Sequence, residues 1–216
     1  MNEVLFFITL ILNFSGILAA YWWLGKTGLY CWIVLASVIA SIEVLKCVDM
    51  FGMSVTLGNV IYGTTFLATD ILSAKYGKNA AQRGVFVGFA SMMVFLAMTQ
   101  ATLLFEPNSD DFASQAMETL FNLTPHICIG SLVAYFVSNM LDTYLFHALG
   151  RFPLWVRNNG STMVSQLVDT FIFTAIAFWG VFSFSTLVEL FLTTYAIKLL
   201  ISACDTPFVY LAVKKT

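Results

Sequence analysis

Charge is what this chain has least of. Only 10% of its 216 residues are Asp, Glu, Lys or Arg, where an ordinary soluble domain carries about 25%. That excludes a soluble globule and leaves no room for a separate soluble domain. Histidine is almost absent too. His126 and His147 have no metal-ligand neighbour three or four residues on, and no H-E-x-x-H occurs. Both lie near ends of one apolar run, where an interfacial hydrogen bond is the expected role. The four cysteines, Cys31, Cys47, Cys128 and Cys204, stand far apart, without zinc, haem or redox spacing. They read as small buried hydrophobes. No G-x-S-x-G elbow and no phosphate-cradling glycine loop appears. We therefore expect no catalytic residues, no metal, no cofactor and no ATP hydrolysis by the chain itself.

Apolar residues fill the space that charge leaves. They make up 59% of the chain, with 21 phenylalanines. A span needs about 20 apolar residues, and seven runs approach or exceed that length. They are Val4–Leu24, Leu29–Val48, Val55–Ala74, Gly84–Phe105, Thr119–Leu149, Met163–Phe182 and Thr186–Val213. The fifth and seventh exceed a bilayer's thickness and must tilt, kink or project. The first lacks a basic leader and a small-residue cleavage site, so it reads as a retained span rather than a signal peptide. The expected fold is an all-α polytopic membrane protein, a single domain over residues 1–216. Six to seven transmembrane helices form one bundle.

The few charges are sorted by side. Lys26, Lys75, Lys78, Arg83, Arg151, Arg157, Lys214 and Lys215 all follow odd-numbered runs. The opposite side carries no Lys or Arg but has Glu3, Glu106, Asp110, Asp111 and Glu118. Basic loops stay in the cytoplasm. The N-terminus is therefore expected outside and the C-terminus in the cytoplasm, and dropping one span would scramble this order.

Several polar groups fall inside the runs. The stretch from Leu154 to Trp179 opens with Arg157, Asn158 and Asn159 and then becomes apolar, yet contains Ser165, Gln166 and Asp169. Residues three and four apart share a helix face, so Gln166 and Asp169 project together. An ionisable group at membrane depth costs about 2.5–3.5 kcal/mol on insertion scales and marks function by default. Glu43, Lys46 and Asp49 follow at three-residue steps late in the second run. They could form a structural cluster or touch a ligand. Lys198, Ser202 and Asp205 share a face of the seventh run and could pair internally. The third run holds Asn59, Thr69 and Asp70, with Gly58 and Gly63 permitting close helix approach. A pattern S-x-x-x-D-T occurs twice, at Ser138–Thr143 and Ser165–Thr170. It is too short to establish a repeat. A polar inventory without reaction machinery favours passage or capture of a polar solute over catalysis.

Four segments carry a more specific signal. FLATDILSAKYGKNAAQR, NMLDTYLFH, WVRNNGSTMVSQLVDTFIFTAIAFWG and TTYAIKLLISACDTPFVYLA, in this order, resemble the queuosine precursor transporter family of bacterial vitamin uptake transporters. One position departs: where the family shows A-N-I-x-x-x-K, this chain reads Ala40-Ser41-Ile42 before Lys46. A serine lacks an amide's paired donor and acceptor. The resemblance implies a fold like the small substrate-binding subunits of energy-coupling-factor transporters, in a solitary protein for which no ATPase module is expected. It implies a multi-pass protein of the bacterial plasma (inner) membrane that imports 7-deazaguanine-type queuosine precursors or queuine. Its partners would be the 7-deazapurine and the lipid bilayer, with no nucleic acid, and a homodimer stays open. Site residues carried over are Thr69, Asp70, Asn158, Asn159, Gln166, Asp169 and Lys198, joined as candidates by Glu43, Lys46 and Asp205. A guanine-like edge presents two adjacent N–H donors and a carbonyl. Asp169 could accept from the donors, while Gln166 or Lys198 donates to the carbonyl. The alternative is a binding subunit that hands another vitamin-like solute to an ATP-driven partner.

Overall fold

The computed structural model describes residues 1–122 and 125–214. Lys215, and the Leu123–Thr124 part of the fifth apolar run, lie outside the described residues. Eight helices take most of the described chain: α1 (Asn2–Leu24), α2 (Lys26–Glu43), α3 (Gly58–Tyr76), α4 (Lys78–Thr102), α5 (Ser114–Phe121), α6 (Pro125–Ala148), α7 (Leu154–Phe178) and α8 (Phe184–Lys214). Six of them, α1, α2, α4, α6, α7 and α8, are long and apolar enough to cross a membrane. Their surface is inverted relative to a water-soluble protein. Ile11 and Leu12 on α1, Val94 and Met98 on α4, and Phe171 on α7 are exposed, whereas aspartates, serines and threonines are buried. Burying polar groups and exposing large apolar ones is favourable only against hydrocarbon.

The seventh long helix, α3, is the axis of the bundle. Fifteen of its nineteen residues are buried, and it packs against α1, α2, α4, α6 and α8. Polar residues take positions in its core: Thr64, Thr65, Thr69 and Asp70 are fully buried. That is why α3 is less apolar than its neighbours although it is the most enclosed. Its surroundings are protein rather than lipid, and protein can satisfy hydroxyls. Gly63 lets α8 approach, since a Cβ there would sit 2.5 Å from the Ile201 side chain. The main apolar cluster runs through Phe6, Leu10 and Phe14 of α1, Leu29 and Ile33 of α2, Leu67 and Ile71 of α3, and Ile201 of α8.

Three expectations need correction. The second run does not stay helical through Lys46 and Val48. The helix ends at Glu43, and the chain forms an antiparallel hairpin of β1 (Cys47–Met50) and β2 (Met53–Thr56). Its two turn residues, Phe51 and Gly52, both have positive φ, 55° and 73°, the geometry of a tight type I′ hairpin. Glu43, Lys46 and Asp49 therefore do not share a helix face. Among the described residues, neither ion pair found includes any of the three. Apart from this hairpin the described elements are all helices, as expected of an all-α membrane protein. Second, the fifth run is not one overlong helix. A short exposed α5 precedes α6, which opens on Pro125, a residue suited to a helix's first turn because it has no N–H to satisfy. Third, Lys198 and Asp205 do not pair within α8; each finds a partner on α7. The seventh run does form one long helix, 31 residues with Pro207 inside.

The helices alternate in direction. The α2–α3 hairpin and the α4–α6 and α7–α8 connections lie at one end of the bundle. Gly25, Gly77 and the 149–153 turn lie at the other, with Lys26, Lys75, Lys78, Arg151 and Lys214. These are called the hairpin end and the basic end below.

Candidate functional site

The polar groups buried between α3, α6, α7 and α8 separate into two layers. The layer nearer the hairpin end is built on Asp169 of α7, 3% exposed, and Lys198 of α8, 6% exposed. Lys198 Nζ forms an ion pair with Asp169 Oδ2. The other oxygen, Oδ1, accepts from the Tyr62 hydroxyl at 2.7 Å and from Ser138 Oγ at 2.9 Å. One buried carboxylate thus collects donors from three other helices. The ammonium also lies 5.3 Å from the centre of the Tyr62 ring, close enough for a cation–π attraction. The Tyr62 ring is flanked by Phe66 and Tyr135 at 5.6 and 6.2 Å between centroids. A charged pair this deep survives because its charges cancel and its lone pairs are satisfied.

The second layer lies one to two turns nearer the basic end. It comprises Asp70 of α3, Asp142 of α6 and Asp205 of α8, at most 1% exposed. Thr162 of α7 reaches two of them, with its Oγ1 3.4 Å from Asp70 Oδ2 and 3.2 Å from Asp142 Oδ1. Ser165 donates to Asp142 Oδ1 at 3.0 Å, and Asn158 donates Nδ2 to Asp205 Oδ1 at 2.7 Å. Asp70 Oδ1, Asp142 Oδ2, Asn158 Oδ1, Gln166 Oε1 and Ser202 Oγ are buried without a hydrogen-bond partner. The same α7 face carries Asn158, Thr162, Ser165, Gln166 and Asp169, and so addresses both layers.

The candidates from the sequence thus scatter over distinct places. Asp169 and Lys198 meet directly, with Gln166 one turn from Asp169. Asp70, Asp205 and Asn158 belong to the second layer. Thr69 is buried beside Asp70 but donates to carbonyls of its own helix, Thr65 and Phe66. Asn159 ties α7 to α8 through Thr206 at 2.7 Å, outside either layer. Glu43 and Lys46 lie at the hairpin end. They line a cavity of about 400 Å³ with Asn2, Phe6, Thr9, Met50 and Val60. Sequence reasoning did not name Tyr62, Ser138, Asp142 or Thr162 as site residues. For Ser138 and Asp142 a signal existed: the second copy of S-x-x-x-D-T, on α6.

A family profile described as "Putative vitamin uptake transporter" matches residues 56–212. A Bacillus subtilis (strain 168) protein named "Probable queuosine precursor transporter" is 45% identical over 209 residues, covering 94% of this chain and 91% of that protein. A Haemophilus influenzae (strain ATCC 51907 / DSM 11121 / KW20 / Rd) protein of the same name is 29% identical over 136 residues, 62% of this chain and 57% of that protein. No solved structure matches the chain.

Proposed function

Because this chain belongs to the queuosine precursor transporters of the vitamin uptake transporter family, we propose that it imports a 7-deazaguanine-type base, or queuine, across the bacterial inner membrane. Its termini then sit outside (N) and in the cytoplasm (C), with the hairpin end facing out. The observation that carries the reading is the Asp169–Lys198 pair beside the Tyr62 ring, at the centre of the bundle. A multi-pass protein that keeps this pair away from both faces holds a polar site in the path of a crossing solute.

The pair also suits the proposed cargo. Asp169 already accepts from three donors, so a base need not create hydrogen bonds from nothing. It substitutes its own. The two adjacent N–H groups of a guanine edge replace the lysine and one hydroxyl on the carboxylate. Lys198, released, donates to the purine carbonyl. Gln166 Oε1, buried without a donor of its own, accepts another N–H. The flat ring stacks against the Tyr62 aromatic group. Adenine is rejected because its ring nitrogen is an acceptor that would face the carboxylate, and an unmatched buried acceptor is costly. Catalysis plays no part; the solute leaves unchanged. The cavity beside Glu43 and Lys46 lies on the entry side and is a place for first capture.

Thermal shift of the detergent-solubilised protein with 7-deazaguanine, queuine, guanine and adenine tests the reading. The first three should stabilise it and adenine should not. Asp169→Asn presents an NH2 where the base presents an N–H, and should weaken binding by about 1.5–3 kcal/mol, roughly ten- to a hundred-fold. Equal stabilisation by adenine, or a folded Asp169→Asn protein that binds 7-deazaguanine as tightly as wild type, would refute the site. Uptake by the purified protein alone in liposomes distinguishes a complete carrier from a subunit that needs an ATP-driven partner.

A further inference from the structure

Asp70, Asp142 and Asp205 come from three different helices, are sealed from solvent, and are in no ion pair among the described residues. Asp169 has the same burial but a lysine to balance it. The donors available to the three are few: the hydroxyls of Thr162 and Ser165 and the Asn158 amide. Thr162 Oγ1 stands between Asp70 Oδ2 and Asp142 Oδ1, at 3.4 and 3.2 Å. Thr162 has one hydrogen for two acceptors, and a protonated carboxyl supplies the missing one.

A second set of observations is independent of the acids. The Asn158 amide is anchored on Asp205 by its nitrogen, so its oxygen lies at the cluster, and that oxygen is buried and without a donor. A protonated carboxyl is the donor it lacks. Gln166 lies one turn along α7 from Thr162 towards Asp169. Ser202 lies on α8 between Asp205 and Lys198. Both carry unpartnered buried oxygens, and together they bridge the two layers. Asp169 and Lys198 lie on the hairpin side of the cluster, the Cys204 thiol lies beside Asp205, and His147, Arg157 and Lys78 lie further towards the basic end. Arg157 donates to the Phe146 carbonyl and sits over the Phe146 ring, 4.2 Å from its centre.

We propose that Asp70, Asp142 and Asp205 form a proton-binding site through which this carrier is driven by the proton gradient across its membrane. The proposal rests on the transport reading above. Buried carboxylates that face the interior of a bundle and lack a cation are the groups from which proton relays are made. The step is simple in its balance. A carboxylate oxygen binds a proton from the outer side, one O–H bond forms, and the same bond breaks when the proton leaves inward; no electrons change hands. Coupling follows from α7. When the base draws Lys198 away from Asp169, α7 shifts its contacts, and the hydroxyls and amide that serve the carboxylates shift with it.

Two measurements test this. Infrared difference spectra of the purified, substrate-free protein, titrated with acid and base, should show the C=O stretch of a protonated carboxyl at neutral pH. Asp142→Asn should remove or diminish it. No such band in the wild type overturns the proposal, whatever the carrier transports. In proteoliposomes, labelled queuine and 7-deazaguanine should accumulate several-fold more with an alkaline interior than without a gradient. Self-exchange of the base should not need the gradient. Asp142→Asn should lose the gradient-driven accumulation. Wild-type exchange with no response to the gradient overturns proton coupling and leaves the transport reading intact. Absence of wild-type exchange defeats the transport reading, and the coupling falls with it. If Asp142→Asn does not fold, the wild-type spectrum and gradient response still decide.

Discussion

Ser138 on α6 donates to Asp169 on α7 at 2.9 Å, and Ser165 on α7 returns the contact to Asp142 on α6 at 3.0 Å. Each serine opens one copy of S-x-x-x-D-T and each aspartate belongs to the other copy. Two antiparallel helices bearing the same motif bring the serine of each opposite the aspartate of the other, because serine and aspartate lie four residues apart and face the same way. The motif is therefore a reciprocal clasp between α6 and α7 that also connects the two polar layers. Removing one hydroxyl leaves a buried carboxylate short of a donor, at a cost of about 1–3 kcal/mol. Ser138→Ala and Ser165→Ala should each lower the melting temperature in detergent. The double variant should deviate from additivity if the two contacts act as one clasp.

Lys198 should be the least replaceable cation in the bundle. Lys198→Ala strands Asp169 in the interior, and breaking a buried pair from one side costs about 3–5 kcal/mol. The double change Lys198→Met with Asp169→Leu removes both charges and fills the space. It should recover most of the lost stability while binding no base. Thermal unfolding and ligand-induced shifts, measured together, separate the structural from the functional part. A single variant as stable as wild type would mean that the pair is not formed.

The hairpin makes the opposite forecast for Lys46. Its side chain is exposed and it is in no ion pair among the described residues. Lys46→Ala should leave thermal stability within about 0.5 kcal/mol of wild type, as surface changes usually do. If the neighbouring cavity captures the base, the variant should instead lose part of the stabilisation that ligand confers. A large loss of stability without ligand would restore the structural cluster that the sequence allowed.

Gly88 of α4 makes room for Tyr135. A Cβ at position 88 would meet the Tyr135 hydroxyl at 1.9 Å and its ring carbon at 2.8 Å. Tyr135 in turn packs against Tyr62, which holds Asp169. Gly88→Ala should therefore destabilise by about 1–3 kcal/mol, the usual effect of overfilling a core, and should weaken base binding. Tyr135→Phe in the same chain should recover part of both losses, since it removes the nearer clash.

Topology can be tested by cysteine labelling in a background without Cys31, Cys47, Cys128 and Cys204. Asn108 and Asn79 are both exposed and lie at opposite ends of α4. Asn108→Cys should label from outside the cell and Asn79→Cys should be protected. The reverse pattern would invert the orientation drawn from the basic residues.

The sequence by itself determined a great deal. Long apolar runs and a 10% charge content specify membrane helices because hydrocarbon rejects free backbone and charge wherever they occur, and that constraint is local. The sorting of lysines and arginines to alternate connections is likewise readable residue by residue. So is the helix face shared by Gln166 and Asp169, since helical spacing puts them together whatever surrounds them. Tertiary structure decided the partners. Lys198 could have paired along α8 with Asp205, but the packing of α7 against α8 offers Asp169 and Asn158 instead. Nothing in the local spacing of either helix encodes that choice. Tyr62 had no neighbour in sequence to mark it and Asp142 only the repeated S-x-x-x-D-T pattern, and both became site residues only when α3 and α6 met α7. The polarity of α3 belongs to the same category. Its threonines and Asp70 depress its hydropathy, yet it is the helix best shielded from solvent, because burial depends on what packs around a segment. The end of α2 was decided in the same way. Positive φ at Phe51 and Gly52 reverses the chain, and the returning strand β2 pairs with β1 and packs against α8, which an uninterrupted helix through Lys46 could not allow.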